Sequence, residues 1–131
     1  MIWTSSLETG IGKIDEQHKE LFRQIDILMD RSKDDRVNDT IKFLGEYVVK
    51  HFTDEQGMHL ASKYPKAADH KKMHTDFVAA YNRMKQEYTQ ATDSNKLPVV
   101  LKINKTVMDW LKNHILIHDK EFAAYYKASG K

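Results

Sequence analysis

HKKMHTDFVAAYNRMKQEY, residues 70–88, sets His70, His74, Phe77, Tyr81, Met84 and Tyr88 at alternating steps of four and three. That is the spacing of one face of an α-helix, and the stripe extends back to Ala67. Three further stripes repeat the pattern. The first is Ile14, His18, Leu21, Ile25 and Leu28, closed by the polar run Arg31 to Asp35. The second is Val37, Ile41, Leu44, Val48, His51, Glu55 and Met58, ending before Tyr64-Pro65 because proline disfavours helix in the residue before it. The polar linker Thr92 to Asn95 follows the third. The last stripe opens near Pro98, a good first-turn residue, and runs Val100, Ile103, Val107, Trp110, His114, Ile117. Four stripes with short connections predict an all-α protein, an antiparallel up-down-up-down four-helix bundle with a short N-terminal arm and a C-terminal helical extension. Residues 1–131 read as a single domain, with no linker or internal repeat to divide them.

Composition narrows the function. The chain has 21 basic and 19 acidic side chains with no separate basic block, which argues against nucleic acid or an anionic membrane as partner. It has no cysteine, so thiolate metal sites, disulfides and cysteine nucleophiles are excluded together. Any metal must be held by nitrogen and oxygen. The N-terminal MIWTSSLETG has no basic region followed by an apolar run, and no segment approaches the ~18 apolar residues of a membrane helix. A cytoplasmic, non-membrane protein is expected.

The inward stripes carry chemistry as well as packing. Five of the seven histidines, His18, His51, His70, His74 and His114, fall on them, and so does Glu55. Burying a polar or charged group without a partner costs several kcal/mol, so six such groups on core positions require a common purpose. They also share a height: His18 is early in the first helix, His51 and Glu55 late in the second, His70 and His74 early in the third, His114 late in the fourth. In an antiparallel bundle all six meet at one end. Five imidazoles and a carboxylate exceed the four ligands of a structural zinc site, which makes two metals the economical arrangement. The Glu-x-x-His motif of glutamate-rich di-iron bundles is absent.

IDEQHKELF around His18, HFTDE at 51–55, HKKMHTDF at 70–77 and WLKNHILIHDKEF at 110–122 together resemble the hemerythrin family, in particular its single-domain bacterial members, over essentially the whole chain. The resemblance implies two iron ions (Fe2+/Fe3+) joined by an oxo or hydroxo group. His70, His74 and His114 would hold one, His18 and His51 the other, and Glu55 and Asp119 would bridge both, leaving the second iron an open position. The implied activity is reversible dioxygen binding, for storage, buffering or delivery to an oxygen-consuming enzyme, by a monomer that is not itself an enzyme. A sensing module working through a partner, or a di-iron oxidase or peroxidase, would use the same ligands. The enzyme would also need a proton donor beside the open iron, and no obvious acid lies there.

By the same resemblance Leu111, Trp110, Ile115 and Phe52 are expected to wall the oxygen pocket, while Phe22, Phe77, Tyr81 and Tyr88 are expected in the core. His114 and Asp119 are five apart, ~140° on a regular helix, so the helix must break between them, near Leu116 to His118. His118, although four residues from His114, lies beside the stripe, and so does His59; both are expected to be partly exposed or to stand behind the ligands. The family often has a second glutamate where this chain has Gln56. Gln17, Gln56 and Asp15 are candidates to hold the second ring nitrogens of the histidines.

Overall fold

The computed structural model describes residues 3–30 and 36–129, so the expected helix-closing run Arg31 to Asp35 lies outside the described residues. Four long helices form where the stripes lie: α1 Gly12–Met29, α2 Val37–Ala61, α3 Ala67–Gln90 and α4 Lys96–His114. Each packs on the next, and α4 also packs on α1, closing the ring of the bundle. A short 3-10 turn, Ser5–Leu7, precedes α1, and a C-terminal helix, α5 Lys120–Ala128, follows α4. No strand occurs among the described residues.

Why these stripes point inward is visible in the core. Leu21, Leu44 and Ile103 are fully enclosed, with Phe22, Ile25, Ile41, Phe77, Tyr81, Val107 and Tyr88 packed around them. The one polar group that Tyr81 brings into this core is satisfied: its hydroxyl donates to the Ile41 carbonyl at 2.6 Å. Tyr81→Phe is expected to cost about 1–2 kcal/mol, read as a lower denaturant midpoint with an unchanged slope.

The stripes drift at their far ends. Ile117, expected on the inward face, is 60% exposed, and Trp110 is half-buried while Leu111 beside it is buried. At the end of α2, His59 is buried and Met58 is half-buried, so the expectation of partial exposure at His59 is overturned. Ile117 lies beyond the end of α4, and for Met58 and Trp110 the cause is shared: a strict three-four alternation slips by ~20° per seven residues against a 3.6-residue helix. Over a long helix the inward position moves to the next residue.

The ends of the helices are fixed by backbone chemistry. After α2, Lys63 takes a left-handed conformation (φ 58°), the Lys63 N–H donates to the Leu60 carbonyl, and the Tyr64 N–H donates to the His59 carbonyl. This is a Schellman closure, with the Tyr64 ring folded back on His59 at 5.2 Å. Before α1, the Asp15 carboxylate accepts from Thr9 N–H at 2.8 Å, Gly10 N–H at 3.0 Å and the Thr9 hydroxyl at 2.8 Å. Gly10 has φ +87°, open to glycine and strained for other residues. Asp15 therefore anchors the N-terminal arm.

α5 seals the end where α1 begins. Phe122 and Ala123 join Ile11, Ile14 and Tyr64 in a second apolar cluster. The Tyr125 hydroxyl reaches the Ser62 and Lys63 carbonyls, and Lys66 pairs with Glu121 at 2.7 Å.

Candidate metal centre

All seven residues expected to bind metal are buried and converge at this end of the bundle. Two groups form. Glu55, His70, His74, His114 and Asp119 make one, and His18, His51 and Asp119 make the other. Asp119 belongs to both, whereas Glu55 falls in the first alone.

The helix reaches Asp119 through a change of pitch. Ile115–Asp119 forms a π-helical turn between α4 and α5. A π turn carries one more residue than an α turn, so residues five apart share a face. The break expected near Leu116 to His118 is this turn. It aims Asp119 inward beside His114 and sends Leu116 and Ile117 outward, at 43% and 60% exposure.

The distances define the chemistry. His70 Nε2 lies 2.8 Å from His114 Nε2, and His74 Nε2 lies 3.0 Å from it. Glu55 Oε1 stands 3.3 Å from His70 Nε2 and 3.2 Å from His74 Nε2. Asp119 Oδ1 is 3.1 Å from His70 Nε2 and 3.2 Å from His114 Nε2. In the second group His18 Nε2 is 3.1 Å from both His51 Nε2 and Asp119 Oδ2. Every imidazole presents the same atom, Nε2. Yet neither oxygen of Glu55 and neither oxygen of Asp119 has a hydrogen-bond partner among the described residues.

Buried acceptors so close to ring nitrogens, and still without hydrogen bonds, are aimed at shared points in space rather than at one another. Donor atoms about 2.1 Å from an ion and at right angles to each other stand ~3.0 Å apart. The observed 2.8–3.3 Å matches that spacing. A metal in each group would take Glu55 Oε1 and both oxygens of Asp119 as donors, and imidazole with carboxylate suits iron.

Two of the three outer candidates hold ligand rings in place. Gln17 Oε1 accepts from His51 Nδ1 at 2.7 Å, and the Gln17 amide donates in turn to Asp54 at 2.8 Å. Gln56 Oε1 accepts from His74 Nδ1 at 3.0 Å. The hydrogen bonds fix which nitrogen of each ring faces inward. Asp15, the third candidate, serves the N-terminal arm instead.

Electrostatics carry the signature of crowded, dry ligands. Burial, then the neighbouring His18, depresses His51 to about 3. Burial followed by the charge of Asp119 raises Glu55 well above the usual carboxylate range. Burial alone would raise Asp119 too, but the imidazoles of His114, His18 and His70 outweigh it and hold Asp119 well below its ordinary value. Burial opposes protonation of His70, yet Asp119 and Glu55 prevail and lift it to about 9. Metal charge would replace these protons.

Two of the residues expected to wall an oxygen pocket, Phe52 and Trp110, lie against the centre. Phe52 stacks on His74 with ring centres 3.8 Å apart, and Trp110 stacks on His114 at 4.3 Å. Leu111 and Ile115 are buried in the main core. His118 is half-buried, its ring 5.4 Å from that of His114, and it joins neither metal group. His59 packs on His70 at 4.4 Å. It thus stands behind a ring of the first group, one of the two places expected for it, and is not partly exposed.

A histidine- and carboxylate-lined cluster at one end of a four-helix bundle defines a non-haem metal-binding bundle. The family model for the Hemerythrin HHE cation binding domain matches residues 9–126, and the chain belongs to that family. It is 33% identical to a myohemerythrin of Theromyzon tessulatum over 86% of this chain and 82% of that one. It is 28% identical to a bacteriohemerythrin of Clostridium acetobutylicum, covering 92% of this chain and 97% of the relative. A hemerythrin of Themiste dyscrita is 30% identical, with 92% and 88% covered. No helix among the described residues is long and apolar enough to cross a membrane.

Proposed function

We propose that this chain binds dioxygen reversibly at a non-haem di-iron centre and that its residues 1–131 act as one hemerythrin-like domain. The observation that carries the reading is the set of five inward Nε2 atoms and four buried carboxylate oxygens without hydrogen bonds, spaced as ligands of two ions. His70, His74 and His114 would hold one iron, and His18 and His51 the other. Asp119 reaches both groups with its two oxygens. Glu55, whose two buried oxygens have no hydrogen-bond partner among the described residues, would join Asp119 in holding both.

Two bound irons would supply the electrons and the open coordination position that dioxygen requires. The protein's part is to hold the ligands and keep water out. Gln17 and Gln56 fix two of the rings, while Phe52, Trp110, Leu111 and Ile115 offer an apolar wall with no acid in it. That wall favours a carrier over an oxidase or peroxidase, which would need a proton at the reacting oxygen. We place the carrier in the cytoplasm as a monomer, storing or buffering dioxygen or passing it to an oxygen-consuming enzyme. The near balance of charge supports the absence of a nucleic-acid partner.

Anaerobic reconstitution with ferrous iron, metal counting and repeated admission and removal of dioxygen test this directly. Two irons per chain and a visible band that appears and vanishes over several cycles are expected. Fewer than two retained irons would sink the di-iron reading. Sustained turnover without a reversible band would assign an enzyme instead.

A further inference from the structure

Behind His51 a line of hydrogen bonds runs out to the surface of the bundle. His51 Nδ1 donates to Gln17 Oε1 at 2.7 Å, Gln17 Nε2 donates to Asp54 Oδ2 at 2.8 Å, and Lys50 Nζ donates to that same oxygen at 3.0 Å. His51 and Gln17 are buried, whereas the Asp54 side chain is 23% exposed. Asp54 belongs to neither metal group.

The direction of this line is imposed from its outer end. An ionised carboxylate can only accept, so Gln17 must turn its NH2 group toward Asp54, and its one acceptor, Oε1, is left for His51. A neutral imidazole carries a single N–H, which Oε1 draws to Nδ1. His51 Nε2 then keeps its lone pair, and this is the atom that meets His18 in the second metal group. With the Gln17 amide reversed, NH2 would face Nδ1, the proton would belong on Nε2, and Oε1 would press on the carboxylate. The other rings have no such outer anchor. Gln56 Oε1 accepts from His74 Nδ1, but no carboxylate receives the Gln56 amide among the described residues, and His18 Nδ1 has no partner among them.

We propose that Asp54 is a positioning residue: because it can only accept, it sets the direction of the Gln17 amide and, through it, the tautomer in which His51 can hold a metal. The inference rests on the di-iron reading for the role of His51, whereas the tautomer is a property of the chain with or without iron. Lys50 steadies the carboxylate but does not determine the direction of the bonds.

Exchanging the two groups tests it. Asp54→Asn keeps the shape but supplies an amide that donates as well as accepts, so the direction is no longer imposed. Adding Gln17→Glu places an acceptor-only carboxylate beside His51 and lets the new amide at position 54 donate to it, which restores the direction with the net charge unchanged. In the iron-loaded full chain, chelator competition should show one of the two irons held about tenfold or more weakly in Asp54→Asn, and at least the original affinity in the double variant. Lys50→Met, which removes the ion pair and leaves the carboxylate, should bind both irons as the unaltered chain does. Nitrogen NMR of the metal-free full chain is the second readout. It should place the His51 proton on Nδ1 in the unaltered chain and the double variant, and divide it between the two nitrogens in Asp54→Asn. An unaltered chain that cannot hold two irons would count against the di-iron reading, and the NMR would still decide the role of Asp54. An unchanged tautomer in Asp54→Asn, a double variant no better than the single one, or an equal loss of iron in Lys50→Met overturns the proposal.

Discussion

Asp119→Ala is expected to leave the chain unable to retain two irons, while His118→Ala retains both. Asp119 is the residue common to both ligand groups, with Oδ1 beside His70 and His114 and Oδ2 beside His18. Removing it takes one donor from each metal and leaves His18 without its carboxylate neighbour. The loss of iron affinity should exceed the roughly 100-fold that removal of an outer hydrogen-bonding partner can cost. His118 is half-buried, joins neither group, and should change affinity by less than about tenfold, the low end of such outer-partner effects. The check is iron per chain after desalting, with helicity measured alongside to separate metal loss from unfolding. An iron-free His118→Ala, or an Asp119→Ala that keeps two tightly bound irons, would show that the ligand set is misassigned.

Removing iron by chelation is expected to lower the melting temperature sharply. Four buried carboxylate oxygens and His18 Nδ1 have no hydrogen-bond partner among the described residues. Without metal, those groups must take up protons or water within a packed bundle, at a cost of several kcal/mol. A ligand present at about a thousand times its dissociation constant stabilises the folded state by about 4 kcal/mol. For a chain of this size that corresponds to a shift on the order of 10 °C or more. Scanning the iron-loaded and chelated chain side by side measures it. Identical melting curves would mean that the cluster is satisfied without a metal.

The bundle was legible because its signal is repeated. Six positions in α3 alone keep the helical step, and the same period recurs in three other segments. The candidate ligands on α1, α2 and α3 and His114 on α4 were legible for the same reason, since a titratable side chain on an inward stripe has no bland neighbour to be confused with. What failed was phase at the far end of α2 and beyond the end of α4. Met58 read as inward, whereas His59 is buried, because small angular errors accumulate along a helix, and Ile117 read as inward but is carried outward by the π turn.

The outer partners could be named but not ranked, for another reason. Gln17 meets His51 between α1 and α2, and Gln56 meets His74 between α2 and α3, so their roles depend on how the helices are rotated against each other. Spacing within one segment contains no information about that. Asp15 is the converse case, a carboxylate near His18 in sequence that is spent on the backbone of Thr9 and Gly10. Asp119 needed the family resemblance, since the four-residue spacing from His114 points to His118 and the stripe to Ile117.

The turn at Ile115–Asp119 also acts as a gear between the centre and the C-terminus. It takes in one residue beyond regular helical winding, so relaxing it to α-geometry would turn everything after it by roughly 100°. Phe122 and Ala123 would then swing out of their apolar cluster, and the Tyr125 hydroxyl would leave the Ser62 and Lys63 carbonyls. The angular setting of the last helix is thus tied to Asp119 facing inward, and the terminal segment is torsionally locked to the same carboxylate that joins the two ligand groups.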